Sequence, residues 1–260
     1  MLTVYPIPAL ESNYFWLLQP DPAKPDVYIL DPGDARPVLE FLQHHQLQLA
    51  GIIVTHHHWD HTDGIDDLLA RFPVPVHGPA SQRIPQVTHT LKDSDTLSLP
   101  DLQLEVLAVP GHTLDHLAYV YRDENGPAKL FCGDALFAGG CGRMFEGQPE
   151  QMLGSLNRLA ALPDDTLIYC SHEYTLANLQ FAANVEPDNA DLQARLQQTR
   201  QLREQHLITL PSTIGLELKT NPFLRCHLPT VKAAAEWYAK DSLATDAAVF
   251  AAVRRWKDQS

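Results

Sequence analysis

An α/β layered fold with a smaller, mainly helical C-terminal domain is what this sequence predicts, and three observations predict it. Short apolar runs alternate with helix-patterned stretches through the first two thirds of the chain, as expected of a sheet with helices packed on it. Several of those runs end in a small or turn-forming residue followed by His or Asp, the placement of a scaffold that carries its chemistry on loops. Beyond residue 172 helix-favouring patterns take over and strand signals nearly vanish.

Taken in order, residues 14–18 and 27–30 are strand-like, the second closed by Asp31-Pro32-Gly33-Asp34, a turn built on fixed φ and permissive glycine. Asp31 serves there either as a turn former or as support for a site, and the sequence weighs the two equally. Residues 36–45 are helix-like, and 49–54 form an apolar, partly β-branched run that reads as a buried strand. Residues 65–72 carry apolar positions at helical spacing, with Asp63 and Asp66 near the start, where the helix dipole favours them. The run 104–109 ends in Pro110-Gly111-His112, 129–132 in Gly133-Asp134, and 167–170 in Ser171-His172. Packed side by side, these strands would bring their terminal groups to one rim. Residues 150–162 supply an intervening helix, and 174–185, 189–206, 230–240 and 246–256 are the helices expected after it. The expected division is a catalytic domain over 1–172 and a helical domain over 173–260.

The densest chemistry lies in Thr55-His56-His57-His58-Trp59-Asp60-His61-Thr62-Asp63-Gly64. His56 and His58, two residues apart, project to the same side of an extended segment, and Asp60 and His61 follow at a turn. Imidazole nitrogen and carboxylate oxygen suit zinc and other first-row metals at ~2.0–2.2 Å. One ion rarely takes so many donors from so short a loop, so two adjacent ions are expected.

Composition sets the outer bounds. With 45% hydrophobic residues and no low-complexity tract the chain is globular. A formal charge of −13 argues against a general basic surface for long nucleic acid, though not against a local pocket for a small anion. The first residues lack the basic start and apolar core of a secretory signal, and no apolar stretch is long enough to span a bilayer. Cys132, Cys141, Cys170 and Cys226 are few and widely spaced, which reads as reduced, mostly buried thiols of a cytoplasmic protein.

The motifs at 55–61, Pro-Gly-His-Thr at 110–113, Phe-Cys-Gly-Asp at 131–134, Gly-Cys-Gly-Arg at 140–143, His-Glu-Tyr-Thr at 172–175, Asn-Pro-Phe-Leu-Arg at 221–225 and Arg-Arg-Trp-Lys at 254–257 together resemble the glyoxalase II (hydroxyacylglutathione hydrolase) family of the metallo-β-lactamase superfamily. The resemblance implies an αββα sandwich with the helical domain behind it. It implies one metal held by His56, His58 and His112 and a second by Asp60, His61 and His172, with Asp134 bridging. Zinc is the first expectation, and iron and manganese suit the same donors. Asp60 and Asp134 then carry catalytic as well as ligand roles. His57 should turn away from the metals, and His116 should support the loop rather than ligate. His44, His45, His77, His89, His206 and His227 fall outside the motifs and are assigned no chemistry.

The activity implied is hydrolysis of S-(2-hydroxyacyl)glutathione thioesters such as S-D-lactoylglutathione to glutathione and a 2-hydroxy acid, by a metal-bridging hydroxide, in methylglyoxal detoxification. A thiolate leaves readily because its parent thiol has a pKa of ~8.5. By the same resemblance Arg143, Tyr174, Arg254, Lys257 and the backbone near Phe145 hold the glutathione moiety. Some relatives carry Lys and Tyr where Arg143 and Phe145 stand, so the Phe removes one hydroxyl donor. The implied partner is a small-molecule glutathione thioester, with no nucleic acid and no membrane, and the chain is expected to act as a monomer. A metal-dependent lactonase or a β-lactamase is the alternative, and neither accounts for the helical tail and its paired cations. A persulfide dioxygenase uses one iron, and a tRNA-processing nuclease would want a basic surface.

Overall fold

The computed structural model describes residues 2–122 and 126–260. It divides into two compact units, one of residues 2–108, 115–122 and 126–133, the other of residues 109–114 and 134–260. The first unit opens with β1 (Thr3–Ala9), β2 (Asn13–Gln19), β3 (Asp26–Leu30), α1 (Ala35–His45) and β4 (Gln48–Ile53), then the short helices α2 (Trp59–Thr62) and α3 (Ile65–Leu69), and β5 (Val76–Pro79) and β6 (His89–Leu91). Strands β1 to β6 form one sheet in sequence order, antiparallel from β1 to β3 and parallel from β3 to β6. Parallel neighbours need a crossover, and α1 and α3 supply two of them.

The helix α1 starts where the Asp34 side chain accepts a hydrogen bond from the Arg36 amide, and stops where Gln46 adopts left-handed backbone. Its buried face, Val38 and Leu42, packs into a core with Phe15, Leu17, Val27, Ile29, Ile52, Ile65 and Leu68. Strand β2 is buried along its whole length, as a strand covered on both faces must be. The second sheet of this unit runs in the spatial order β10 (Lys129–Gly133), β9 (Leu117–Tyr121), β8 (Leu102–Ala108), β7 (Thr96–Leu99), all antiparallel. Two bonds tie it to the end of β4: the Tyr119 hydroxyl donates to the Val54 carbonyl at 2.6 Å and the Leu117 amide to the Thr55 carbonyl at 2.9 Å.

The second unit holds the hairpin β11 (Leu136–Phe137) and β12 (Gly140–Cys141), then α4 (Pro149–Ala160), β13 (Leu167–Cys170), α5 (Thr175–Val185), α6 (Ala190–Glu204), β14 (Ser212–Thr213), α7 (Ile214–Thr220), a 3-10 turn at Pro222–Leu224, α8 (Pro229–Ala239) and α9 (Asp246–Asp258). A buried ion pair organises it. Arg195 of α6 donates to the Glu217 carboxylate of α7 at 2.5 Å, and the other Glu217 oxygen accepts from the Gly139 amide at 2.7 Å.

Several expected elements shift at their ends. The helix expected over 65–72 closes at Leu69, and residues 70 and 71 continue only as a turn. The strand expected from residue 104 begins at Leu102 and ends at Ala108, just ahead of Val109-Pro110, because Pro110 has no amide for a ladder. One strand, β14, does lie beyond residue 172, paired with β13. All four cysteines are buried and none of the described residues forms a disulfide. Burial pushes the Cys141 thiol up to about 11 and that of Cys170 to about 12, so both are inert at neutral pH. No helix among the described residues is long and apolar enough to cross a membrane.

Candidate functional site

In the first unit the donors follow directly from the end of β4. Asp31, at the end of β3, is the anchor. Its backbone sits at φ 50°, an uncommon conformation for a non-glycine residue, and its buried carboxylate accepts from the Thr55 amide and hydroxyl, each at 2.7 Å, and from His61 Nδ1 at 3.0 Å. Because the Thr55 hydroxyl donates to Asp31, its oxygen accepts from His56 Nδ1 at 3.0 Å. This network assigns the tautomer of both imidazoles and leaves their Nε2 lone pairs for a ligand. His56 Nε2 lies 3.1 Å from His58 Nδ1, and His61 Nε2 lies 3.5 Å from an Asp60 oxygen. The Asn13 amide holds that same Asp60 oxygen at 3.1 Å. Gly33 permits this approach, since a Cβ there would stand 2.0 Å from the Asp60 carbonyl.

The other two histidines of the cluster behave differently. His57 Nδ1 faces both Asp115 oxygens at 2.9 Å, and its Nε2 accepts from Arg83 at 2.5 Å. His116 is buried and stacks on His56, ring centroids 4.6 Å apart at 14°. The two contacts give His57 and His116 packing and bonding partners of their own.

In the second unit His112, Asp134 and His172 come together. His112 Nδ1 donates to the Arg143 carbonyl at 2.7 Å, so its Nε2 carries a lone pair 3.4 Å from one Asp134 oxygen. His172 Nε2 lies 3.3 Å from the other oxygen. Gly142 is required here, because a Cβ would lie 2.0 Å from the Asp134 carbonyl and 3.0 Å from His112 Nδ1. An imidazole lone pair facing a carboxylate oxygen is repulsive unless positive charge sits between them, and this occurs at His112 with Asp134 and at His61 with Asp60. Histidine and aspartate donors of this kind fit a divalent metal ion.

Two aromatic rings flank the second set of donors. Phe145, 61% exposed, meets His112 edge-on at 5.3 Å, and Tyr174 stacks on His172 at 4.6 Å and 3°. The cations lie in the same unit. Arg254 is only 6% exposed; its Nη1 donates to the Cys141 carbonyl at 3.0 Å and its guanidinium lies over the Phe223 ring at 5.0 Å. Lys257 sits over Phe181 at 5.3 Å, and burial, with Arg254 beside it, lowers its pKa below 10.5 against the opposing pull of Asp258. Sequence reasoning missed Asp258, which accepts from both Arg254 and Arg143. An acid four residues after Arg254 on one helix face was the available signal. It also missed Asn13, which lies 47 residues from Asp60 in the chain and carries no local signature.

Comparison with known proteins agrees along the whole chain. Residues 13–172 match the family described as the metallo-beta-lactamase superfamily, and residues 173–260 match the hydroxyacylglutathione hydrolase C-terminus. The hydroxyacylglutathione hydrolase of Chromohalobacter salexigens is 52% identical over 260 residues and is covered completely, as is this chain. Among solved structures, ETHE1 from Myxococcus xanthus is 30% identical, with a TM-score of 0.58 over 67% of this chain and 76% of that one. The BLEG-1 B3 metallo-beta-lactamase shares the fold at 23% identity, with a TM-score of 0.62 over 86% of this chain and 99% of that one.

Fold and donor set thus define a metallo-β-lactamase-type hydrolase, an αββα sandwich with a mainly helical C-terminal region. Within that superfamily the chain belongs to the hydroxyacylglutathione hydrolase family.

Proposed function

We propose that this enzyme hydrolyses S-(2-hydroxyacyl)glutathione thioesters such as S-D-lactoylglutathione, releasing glutathione and a 2-hydroxy acid. The observation that carries the reading is the match of residues 173–260 to the hydroxyacylglutathione hydrolase C-terminus, because that stretch supplies Tyr174, Arg254 and Lys257. The lactonase alternative does not account for it.

The metal donors are assigned as His56, His58 and His112 for one ion and Asp60, His61 and His172 for the other, with Asp134 shared, and zinc is the preferred occupant of both. Two details support the assignment: each Asp134 oxygen faces a different imidazole, and Asp31 and Thr55 hold His61 and His56 in the ligating tautomer. A divalent cation bound by these residues would supply a Lewis acid for the thioester carbonyl and would lower the pKa of water toward neutrality.

The chain's own residues do the rest. Asp60, held by Asn13, and Asp134 keep negative charge beside the imidazoles. Arg143 and Lys257 offer positive charge to the glutathione carboxylates, while Tyr174 covers a face of His172 and Phe145 stands edge-on against His112. The leaving thiolate needs no acid from the protein, since its conjugate thiol has a pKa of ~8.5. Specificity therefore comes from binding energy remote from the reacting carbonyl. The functional division falls at residues 172 and 173, and the enzyme works as a cytoplasmic monomer.

The test is thiol release from S-D-lactoylglutathione, with metal content measured on the same sample and gel filtration for mass. Hydrolysis that stops on chelation and returns with two equivalents of zinc is expected. Metal-replete protein that releases no thiol, yet opens a lactone, would sink the proposal.

A further inference from the structure

The geometry points to Asp258 as a positioning residue that sets selectivity for the glutathione moiety by aligning the Arg143 guanidinium. This rests on the thioesterase reading, but concerns a residue that reading leaves without a role.

Arg143, Arg254 and Lys257 place three positive charges in one unit. Gathering them costs repulsion unless an acid lies among them. One Asp258 oxygen takes on that work: it accepts from Arg254 Nη2 at 2.8 Å, from Arg254 Nε at 3.1 Å and from Arg143 Nε at 3.3 Å. The two arginines are not equivalent. Arg254 is pinned from behind by the Cys141 carbonyl and the Phe223 ring, and its side chain is 8% exposed. The Arg143 side chain is 59% exposed. Order thus passes outward, from the packed interior to Arg254, through the Asp258 carboxylate, to Arg143.

The other end of Arg143 is fixed as well, because its carbonyl accepts from His112 Nδ1. With Nε engaged by Asp258, both terminal nitrogens of Arg143 are turned to one use, the two-pronged capture of a carboxylate. Three cations less one acid leave the cluster at a net positive charge, so it still attracts an anionic ligand. An arginine oriented beforehand loses less conformational freedom when the ligand arrives. Arg254 keeps its place among the cations offered to the glutathione moiety, and through Asp258 it also orients Arg143.

An ordinary exposed ion pair between Arg143 and Asp258 would do little for either stability or binding, and kinetics separate the two cases. Asp258→Asn should raise KM for S-D-lactoylglutathione about tenfold. KM for S-lactoyl-N-acetylcysteamine, which lacks both glutathione carboxylates, should move less than about twofold. Asp258→Glu keeps the charge on a longer arm and should show a smaller rise, about two- to threefold, again for the glutathione thioester alone. Adding Asp258→Asn to Arg143→Gln should cause no further rise. Parallel changes for both thioesters, no change for either, or additive effects in the double variant would overturn the assignment. Should Asp258→Asn not fold, Asp258→Glu decides by the same comparison. A wild-type protein inactive on the glutathione thioester would instead overturn the function proposed above, which the first measurement reveals.

Discussion

At the scale of single residues, the candidate site depends on partners that fix which nitrogen of each imidazole holds its proton. Asp31 does this most directly. Its carboxylate takes three donors from Thr55 and His61, and Asp31→Asn would turn one acceptor into a donor facing an O–H and an N–H. Metal affinity should fall roughly 10–100-fold, as for other ligand-orienting partners, read by competition with a chromogenic chelator. An unchanged Kd would remove Asp31 from the site. The sequence left this residue evenly divided between turn former and support. The turn is legible in Pro32 and Gly33, whereas the bond to His61 depends on two strand ends meeting across thirty positions. The histidines themselves were legible because they crowd into one loop.

At the scale of elements, the hairpin of β11 and β12 leads from Asp134 to Gly142 and Arg143, and it is clamped from α7. Glu217 accepts from the Gly139 amide, and the Asn221 amide donates to the Phe137 and Gly140 carbonyls at 3.2 and 2.9 Å. Glu217 is fully buried with Arg195 as its counterion. Removing one member of a buried pair strands the other, so Glu217→Ala should cost about 3–5 kcal/mol. Urea denaturation should show the loss as a lower midpoint at constant m-value; a shift worth under about 1 kcal/mol would show that the pair is dispensable. None of this was legible, because the ion pair joins two helices whose sequences are ordinary. Strand β1 escaped for a different reason: Pro6 and Pro8 interrupt its pattern. Both are tolerated because β1 lies at the sheet edge, where one side of the strand has no ladder to complete.

For the molecule as a whole, stability should carry a signature in mild acid. Burial holds the His77 imidazole down to about 4 from 6.5, with His89 adding a smaller push, and its Nε2 has no hydrogen-bond partner among the described residues. The unfolded chain then takes up a proton below pH 6.5 while the folded one does not, so stability is lost as pH falls from about 6.5 toward about 4. The full effect is on the order of 3 kcal/mol. Replacing His77 with Leu should shrink the drop in Tm between pH 7 and pH 5 by several degrees (roughly 2–4 °C per kcal/mol); an identical drop in both proteins would show that another group titrates. The alternation of strand and helix, and so the fold class, was plain from the sequence. The route of the chain was not. Residues 109–114 leave the first unit, join the second and return before the chain departs for good at Asp134. They are held there by Met152 against Gly111 and by the Ser155 hydroxyl on the Pro110 carbonyl. Evolutionary shuffling or laboratory chimeragenesis at the 172/173 seam would therefore cut through one packed body instead of between two. A hybrid with a foreign tail should succeed only when the six-residue excursion and everything from Asp134 onward travel with it.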